Sequence, residues 1–277
     1  MNNSRITFIG AGNMASAIIG GLLKQGVAAE RICATDPSEE KRQQLKEALG
    51  IQVEADNQLA VKAADAVVLC VKPQILQQVC EGLSAALAHK PLIISIAAGI
   101  EMSAIETWLG GELPLVRCMP NTPAQVLKGA SGLIANALVA EQQKELAAKL
   151  FSAVGVTEWL DDEALIHGVT ALSGSGPAYI FLVIEAMEQA AIKQGIDATT
   201  ARKFAAQTVL GAAEMVLASD LAPSQLKRNV MSPGGTTERA IQVLESQGLL
   251  DIFDQAIDAA AKRSVELSLE LSETLKG

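Results

Sequence analysis

The spacing of apolar residues divides the chain into two parts. As far as residue 160, short apolar runs alternate with longer amphipathic stretches, which predicts β-strands alternating with helices. The predicted strands are residues 6–9, 31–35, 66–71, 92–96, 115–119, 129–135 and 156–160. Helices are predicted directly after the first strand and at residues 39–49, 75–87 and 141–154.

From about residue 163 the strand-like runs stop and alanine-rich helical spacing takes over. Helices are predicted at residues 179–194, 199–219 and 236–245. A long terminal helix follows, with residues at helical spacing at Phe253, Ile257, Ala260, Ser264, Leu267, Leu271 and Leu275. We therefore expect an α/β domain with a doubly wound sheet at residues 1–162 and an all-α C-terminal domain at residues 163–277.

A glycine turn joins the first predicted strand to its helix. Gly10 allows a sharp turn, and the small Ala15 allows the helix to pack closely on the strand. Gly12 leaves room for the backbone to approach a pyrophosphate, which the unpaired N–H groups of the helix N-terminus would hold. Strand, turn and helix in this order are typical of a Rossmann-type dinucleotide-binding domain.

Asp36 follows the second predicted strand, where a dinucleotide fold meets the adenosine ribose. A carboxylate there accepts hydrogen bonds from the ribose hydroxyls of NADH and repels the 2′-phosphate of NADPH. Ser38, Lys41 and Arg42 lie within one helical turn and offer a 2′-phosphate site instead. A simple turn residue before Pro37 is a third interpretation of Asp36.

Three further loops follow predicted strands, at residues 72–73, 97–99 and 120–123. Their small residues and prolines would form a rigid wall against a flat ring. Ligands of doubly wound sheets bind beyond the carboxyl ends of the strands. We therefore expect these loops to face the same cleft as the glycine turn.

Composition and charge limit the kinds of partner. A net charge of −9 provides no basic surface for nucleic acid, and no apolar run approaches the length of a membrane span. The first residues enter a strand without an apolar leader, so we expect a cytoplasmic protein. Cys33, Cys70, Cys80 and Cys118 are spaced as core residues, and His89 and His167 have no second ligand at helical spacing, so no metal site is predicted.

The helix predicted after Pro177 begins with apolar residues on every side, from Tyr179 to Ile184. Such a helix must be covered all round, and a small helical domain has limited means to cover it alone. We therefore expect a homodimer unit, alone or within a larger homo-oligomer. The glycine- and serine-rich residues 173–176 are typical of a capped helix start, and a functional loop is the alternative.

The strongest local signal of a small-molecule site lies in residues 226–238. Gly234, Gly235, Thr236 and Thr237 open a predicted helix, so backbone N–H groups and two hydroxyls converge on its positive end. This pattern favours a pocket for a small carboxylate. A plain N-cap by one threonine would need neither both glycines nor both hydroxyls.

At these motifs the sequence resembles the Δ1-pyrroline-5-carboxylate reductase family. The resembling segments are G-A-G-N-M-A from Gly10, V-K-P from Val71, S-I-A-A-G from Ser95, M-P-N-T-P from Met119, L-S-G-S-G-P-A-Y from Leu172 and L-K-x-x-V-x-S-P-G-G-T-T from Leu226. They occur in order along essentially the whole chain, and the last segment is the most specific signature of the family.

The resemblance implies reduction of the cyclic imine 1-pyrroline-5-carboxylate to L-proline, the last step of proline biosynthesis, usually with NADPH. The implied cofactor residues are Gly10, Ala11, Gly12, Asn13, Met14, Asp36, Asn57, Val71, Lys72, Pro73, Ala97, Ala98, Gly99, Asn121 and Asn229. The implied substrate residues are Gly234, Gly235, Thr236, Thr237, Glu163 and Asp220, with Thr237 at the ring nitrogen. Many relatives carry Ser or Thr at the position of Asp36, so NADH is an alternative to NADPH.

Two other classes of protein remain as alternatives. Hydride transfer needs neither a nucleophile nor a metal, which agrees with a site lacking a catalytic histidine or lysine. A β-hydroxyacid dehydrogenase would use a lysine about a turn past a glycine motif on a long helix, whereas Lys193 lies near the end of its predicted helix; another imine reductase belongs to the same class of alternatives. A non-catalytic NAD(P)H-sensing protein would need no converging polar groups at residues 232–237.

Overall fold

The computed structural model describes residues 4–274, with side chains through Leu271, so Leu275 lies outside the described residues. Its internal contacts form two compact units. One, here called the sheet unit, holds the chain as far as Ser175 together with the residues from Ala260 onward. The other, here called the helical unit, holds Gly176–Ala259.

The sheet unit is built on one eight-stranded sheet. In chain order its strands are β1 Ile6–Ile9, β2 Ile32–Thr35, β3 Gln52–Glu54, β4 Ala66–Leu69, β5 Leu92–Ser95, β6 Leu115–Met119, β7 Gly129–Ala135 and β8 Gly155–Trp159. Their order across the sheet is β3-β2-β1-β4-β5-β6-β7-β8. Neighbouring strands from β3 to β6 are parallel, with Ile6 in register with both Ile32 and Ala66. The central strands β1, β4 and β5 are buried throughout, as a sheet covered on both faces requires.

Helices cover both faces of this sheet. They are α1 Asn13–Lys24, α2 Glu39–Leu49, α3 Asn57–Val61, α4 Pro73–Leu83, α5 Met102–Trp108, α6 Glu141–Ser152 and α7 Leu165–Val169. Phe8 and the apolar side of α1 belong to one core cluster, and Ile9 and the apolar side of α4 belong to a second. The prediction of a Rossmann-type doubly wound sheet is confirmed by this arrangement.

The far edge of the sheet is not parallel throughout. β7 runs antiparallel to β6, with Cys118 opposite Leu133, and β8 is parallel to β7. Between β6 and β7 the chain makes only the short 3₁₀ segment Thr122–Val126. Parallel neighbours need a long crossover, so a connection this short requires the next strand to run back. β3 was not predicted, because its three residues are partly exposed and form no apolar run.

The helical unit contains α8 Gly176–Lys193, α9 Ala198–Leu217, α10 Pro223–Asn229, α11 Thr236–Ser246 and the first part of α12 Leu249–Thr274. α8 and α9 pack against one another, and Arg202 Nε lies 3.3 Å from Glu188 Oε2 between them. The rest of α12, from Ala260, belongs to the sheet unit. The helical C-terminal region expected from residue spacing is therefore present.

The compact units differ from the predicted domain boundary between residues 162 and 163. The sheet unit extends to Ser175 and also includes the residues from Ala260 onward, because α7 and the last part of α12 make their contacts within it. The change in residue pattern along the sequence shows where the strands end. The division into compact units depends instead on which helices pack on the sheet. The boundary at 162/163 stays a prediction.

α8 begins at Gly176, next to Pro177, as predicted, but the glycine- and serine-rich residues before it are helical as well. Residues Thr170–Gly174 form a π-helical segment, and Leu165–Lys193 is one continuous helical stretch. By length and composition alone it is apolar enough to cross a membrane, with 11% of the most apolar window buried in the single chain. The expectation that no apolar stretch approaches this length is therefore wrong. The serines and glycines near residue 174 were interpreted as a break between two apolar segments. In the structure these residues are part of the π segment, so the helical stretch continues through them.

A broad apolar surface of the helical unit is exposed in the single chain. Of α8, only Gly176 is buried. The exposed apolar residues on α8 and α9 are Ile180, Phe181, Leu182, Met187, Ile192, Phe204, Leu210, Met215, Val216 and Leu217. Monomeric proteins rarely expose a contiguous apolar surface of this kind, so it is typical of a protein–protein interface.

Candidate active site

The turn between β1 and α1 has the conformation that a dinucleotide site needs. Gly10 has φ +104°, and a Cβ there would lie 2.9 Å from the Cys70 carbonyl oxygen, so only glycine fits. Gly12 is the N-cap of α1, with φ −80° and ψ 179°, and a Cβ there would meet nothing within 4 Å. No contact inside the protein requires glycine at this position. The open space in front of Gly12 therefore fits a ligand that approaches the backbone.

A cleft of 820 Å³ opens in front of this turn. Its lining includes the predicted cofactor residues Gly10, Ala11, Gly12, Asp36, Asn57, Val71 and Lys72. Its other walls are formed by α3 and α4, through Gln58, Ile75, Gln78, Val79 and Gly82. A cleft of this size at the carboxyl ends of parallel strands is where doubly wound sheets bind dinucleotides.

Asp36 lies in this cleft with its carboxylate largely buried. Its Oδ1 accepts a hydrogen bond from Ser38 N at 2.9 Å, and its Oδ2 accepts a longer one from Ala11 N at 3.4 Å. Lys41 Nζ lies 3.9 Å from Oδ2, which partly neutralises the carboxylate. Arg42 donates to the backbone carbonyl of Asp36 at 2.6 Å. The carboxylate and two cations therefore meet at the end of the cleft predicted for the ribose.

Asn57 is the first residue of α3, at the same end of the cleft. The helix is capped by Asp56, whose Oδ1 accepts from Gln58 N at 2.8 Å. Gln58 Nε2 donates to the Gly82 carbonyl at 2.8 Å, which holds α3 against the end of α4. Asn57 thus stands on a short helix fixed at both its start and its side.

The remaining predicted cofactor residues of the sheet unit do not line this cleft, although several lie beside it. Asn13 and Met14 open α1 behind Gly12, and Pro73 opens α4 behind Lys72. Ala97, Ala98 and Gly99 belong to the loop after β5, here called the β5–α5 loop (residues 97–101), in which Ala97 is buried and Ala98 is exposed.

Asn121 follows β6, and its buried side chain is used inside the protein. Nδ2 donates to the Ser173 carbonyl at 3.0 Å, and Oδ1 accepts from Ala130 N at 2.9 Å. The Ser173 carbonyl is available because the residue four positions later is Pro177, which has no N–H to donate within a helix. Asn121 therefore fixes the loop after β6 to the π segment.

Glu163, an implied substrate residue, is bonded to two groups of the sheet unit. Its Oε1 lies 2.6 Å from Nη1 of Arg117, a buried residue of β6. The same oxygen accepts from Met102 N, the first residue of α5, at 2.9 Å. Arg117 was not among the predicted site residues, although a lone charge inside an apolar strand is a signal that the strand has an ionic partner.

His167 in α7 is joined to the end of the last helix. Its Nδ1 lies 2.9 Å from Ser264 Oγ in α12. Burial lowers the pKa of His167 below its usual value, and the charge of Arg117 lowers it further against the opposing effects of Glu101 and Glu163. The neutral imidazole is thus favoured, and its contact with Ser264 joins α7 to α12.

In the helical unit, α11 begins as the motif predicts. Gly234 has φ +71°, and Gly235 is the N-cap, so neither threonine is the capping residue. Gly235 N donates to the Ser232 carbonyl at 2.9 Å, and Gly234 N donates to Glu238 Oε2 at 2.7 Å. Both glycine N–H groups therefore have acceptors inside the protein. The first N–H groups of a helix have no acceptor within it, so Thr236 and Thr237 offer theirs at the positive end.

Glu238 was missed by the sequence analysis. It stands in the first turn of α11, and its side chain reaches back to the loop, as an acidic residue at the third helical position often does. Asn229, the last residue of α10, and Asp220, in the bend before α10, are both exposed.

The cysteine residues are not candidates for catalysis. Burial raises the pKa of the Cys80 thiol to about 12 and that of Cys33 to about 11. Burial likewise raises the pKa of Cys70, which lines the cleft, and of Cys118. Thiols with raised pKa values stay protonated near neutral pH and are poor nucleophiles. Among the residues that the structure describes, no group of three or more His, Cys, Asp or Glu side chains is placed to hold a metal ion.

Two family models match the chain. The model described as pyrroline-5-carboxylate reductase dimerisation matches residues 163–267, and the model described as NADP oxidoreductase, coenzyme F420-dependent, matches residues 5–99. The first covers the helices with the exposed apolar surface. The second covers the glycine turn and the walls of the cleft.

Individual relatives match over nearly the whole chain. A pyrroline-5-carboxylate reductase of Pseudomonas aeruginosa is 51% identical over 99% of this chain and 100% of its own. The structure of a pyrroline-5-carboxylate reductase from Coxiella burnetii has a TM-score of 0.94 and 48% identity, covering 96% of this chain and 99% of that one. The Plasmodium falciparum pyrroline carboxylate reductase with NADP bound has a TM-score of 0.85 and 30% identity, covering 97% and 99%.

These matches agree with the cleft and the α11 motif, and they confirm the predicted class of enzyme, an oxidoreductase that uses a nicotinamide cofactor. None of them favours the hydroxyacid dehydrogenase or the cofactor sensor. The chain belongs to the pyrroline-5-carboxylate reductase family.

Proposed function

We propose that the protein reduces 1-pyrroline-5-carboxylate to L-proline, the last step of proline biosynthesis. The observation that carries this proposal is the start of α11, where two threonine hydroxyls and two N–H groups without a helical acceptor stand at the positive end of the helix. They suit a small anionic molecule with a polar ring nitrogen. The cleft in front of the glycine turn supplies the dinucleotide site that a hydride-transfer reaction needs.

The reaction needs one hydride and one proton. The hydride of NAD(P)H adds to the imine carbon, and the nitrogen gains the proton, so the C=N bond becomes a C–N single bond with an N–H. The cofactor supplies this difficult step, and the protein supplies placement. Thr236 holds the carboxylate, and Thr237 directs its hydroxyl to the ring nitrogen. Gly234 and Gly235 shape the turn, and Asp220 is a weaker candidate for a substrate contact.

The cofactor binds with its pyrophosphate at residues Gly10, Ala11, Gly12, Asn13 and Met14. Its adenosine lies toward Asp36 and Asn57, where the cleft is lined by α3 and α4. The nicotinamide half lies toward residues 71–73, residues 97–99 and Asn121. Asn229 is a candidate cofactor residue through the motif resemblance alone.

NADPH is the proposed cofactor, and NADH is accepted as well. Asp36 alone would repel a 2′-phosphate, but Lys41 Nζ lies 3.9 Å from its carboxylate and is exposed, so it can turn to a phosphate. Arg42 is bonded to the carbonyls of Asp36 and Pro37 and holds the loop in place. The opposed charges of Asp36 and Lys41 support weak discrimination between the two cofactors.

The exposed apolar surface of α8 and α9 supports a homodimer as the basic assembly, alone or as part of a larger homo-oligomer. Burial of this surface against a second copy accounts for the apolar stretch Leu165–Lys193 without a membrane. The net charge of −9 argues against nucleic acid as a partner. The cytoplasm is the proposed location.

One assay tests the reaction. NAD(P)H absorbance is followed with pyrroline-5-carboxylate, and then with β-hydroxyacids and oxidised cofactor. Consumption of NAD(P)H with the imine and formation of proline are the expected result. Turnover of hydroxyacids alone would identify a dehydrogenase, and cofactor binding without any turnover would identify a sensor.

A further inference from the structure

The β5–α5 loop, residues 97–101, is held at several points by other parts of the sheet unit. At its start, Ser95 Oγ accepts a hydrogen bond from Ala97 N at 3.3 Å. At its middle, Gly99 has φ +77°, and a Cβ there would lie 2.9 Å from Leu271 Cδ1 in α12. Beyond it, Ile100 is buried in the core cluster to which Leu271 is also packed. The loop therefore has little freedom to move as the protein stands.

The end of the loop is fixed by Glu163. Its Oε1 accepts from Met102 N at 2.9 Å, directly after the loop. The same oxygen lies 2.6 Å from Arg117 Nη1, and the guanidinium is buried. A carboxylate with these two donors is oriented by the ion pair and in turn orients the backbone at Met102.

Both contacts are made by Oε1 of Glu163 and tie its side chain to the sheet unit, whereas the resemblance implies a substrate contact. We propose that Glu163 is a positioning residue, which holds the β5–α5 loop in the conformation that receives the nicotinamide. Arg117 fixes Glu163, and the end of α12 supports the opposite side of the loop. The proposal rests on the proposed function only in placing the nicotinamide at residues 97–99.

Glu163→Gln is the primary test variant, because its amide keeps the size of the side chain and an acceptor for Met102 N. Glu163→Ala is less informative, since it leaves Arg117 charged and unpaired in the core. The double variant Arg117→Leu/Glu163→Leu removes the charge and the acceptor together and keeps the core filled. Glu158→Gln, on the exposed side of β8, is the matched control.

The first readout needs no turnover. Amide hydrogen exchange of the peptide spanning residues 97–102 is followed in the protein without ligand, together with the melting temperature. We expect exchange about tenfold faster in the double variant and a smaller increase in Glu163→Gln, confined to this peptide. Dissociation constants for NADPH and for 2′,5′-ADP, which lacks the nicotinamide, are then compared. We expect NADPH to bind about fivefold more weakly, with 2′,5′-ADP unchanged.

Steady-state kinetics supply the second readout. We expect kcat to fall about tenfold in Glu163→Gln, with the KM for pyrroline-5-carboxylate changed less than about twofold. A large rise of that KM with unchanged loop exchange would restore Glu163 to the substrate site and overturn the proposal. A change in melting temperature alone, with loop exchange and the NADPH to 2′,5′-ADP ratio unchanged, would also overturn it. If the wild-type protein does not reduce the imine, the proposed function fails, whereas the exchange and binding readouts still decide the role of Glu163.

Discussion

His167 Nδ1 lies 2.9 Å from Ser264 Oγ, although the two residues are 97 positions apart along the chain. Ser264 is buried, and His167 stands near the charges of Arg117, Glu101 and Glu163. The contact joins α7 to the end of α12 within the sheet unit. It makes the protonation state of one imidazole relevant to the stability of that unit.

The first prediction concerns pH. The folded-state pKa of His167 lies below its ordinary 6.5, with burial as the largest cause. As the pH falls below 6.5 the unfolded chain takes up a proton before the folded chain does, so the free energy of unfolding decreases. His167→Gln should flatten this part of the curve of melting temperature against pH, measured by calorimetry from neutral pH downward. Parallel curves for the variant and the wild type would show that His167 does not contribute.

The second prediction concerns the glycine turn. Gly12→Val should abolish measurable NADPH binding while preserving the fold, because its Cβ points into open space where the pyrophosphate approaches. Isothermal calorimetry measures the affinity. Gly20→Ala, in α1 and also without a neighbour, is the matched control and should bind normally. Gly10→Ala should instead lose stability, since its φ of +104° and the Cys70 carbonyl exclude a side chain. An unchanged affinity in folded Gly12→Val would remove the pyrophosphate from this turn.

The third prediction concerns the choice of cofactor. Asp36→Ser should raise the ratio of kcat/KM for NADPH over NADH by about tenfold, because it removes the charge facing the 2′-phosphate. Lys41→Gln should lower the same ratio, since its ammonium is the exposed cation beside Asp36. Steady-state kinetics with both cofactors measure it. If neither variant changes the ratio, the adenosine ribose does not lie at Asp36.

The fourth prediction concerns the assembly. Ile180→Asp should yield monomers or aggregates in light scattering, because Ile180 lies in the exposed apolar surface of α8 proposed to be covered by a second copy. Leu138→Asp, at a more exposed apolar position in the sheet unit, should leave the assembly unchanged. A folded dimer from Ile180→Asp would place the interface elsewhere.

The fifth prediction concerns the chemical step. Thr237→Ala should lower kcat by about ten- to a hundredfold, the effect of one hydrogen bond of about 1–3 kcal/mol that strengthens as the imine becomes an amine. Thr236→Ala should act mainly on the KM for the imine, through the carboxylate. Gly235 is the N-cap of α11, so neither change removes a helix cap. Equal losses of melting temperature in both variants with kcat intact would assign Thr237 a structural role only.

Much of the fold could be predicted because its signals are local. β1 at Ile6–Ile9 and α2 at Glu39–Leu49 have the predicted bounds, since each is defined by its own run of apolar or amphipathic residues and its flanking turn. The apolar stretch around Leu172 was misinterpreted for the same reason. Serine and glycine locally indicate a break, and only the bonds around the Ser173 carbonyl show how the helix continues.

The candidate site divides in the same way. The glycine turn and the α11 motif are contiguous in sequence, so their positions could be predicted. The pairing of Glu163 with Arg117 joins residues 46 positions apart, and only their contact in the folded chain reveals it. The hydrogen bond from Gly234 N to Glu238 is local. It depends on the left-handed conformation of Gly234, which the amino-acid sequence alone does not specify.

The last helix affects how the protein is made. The sheet unit includes the residues from Ala260 onward, and the β5–α5 loop packs against Leu271, near the end of the chain. During synthesis all eight strands emerge from the ribosome before that helix does. The sheet can therefore form early, but the loop proposed to receive the nicotinamide acquires its support only after the last part of α12 has been made. A nascent chain stalled before residue 260 should fold its strands and still lack the support for that loop, so cofactor binding can separate chains that contain all of α12 from chains that do not.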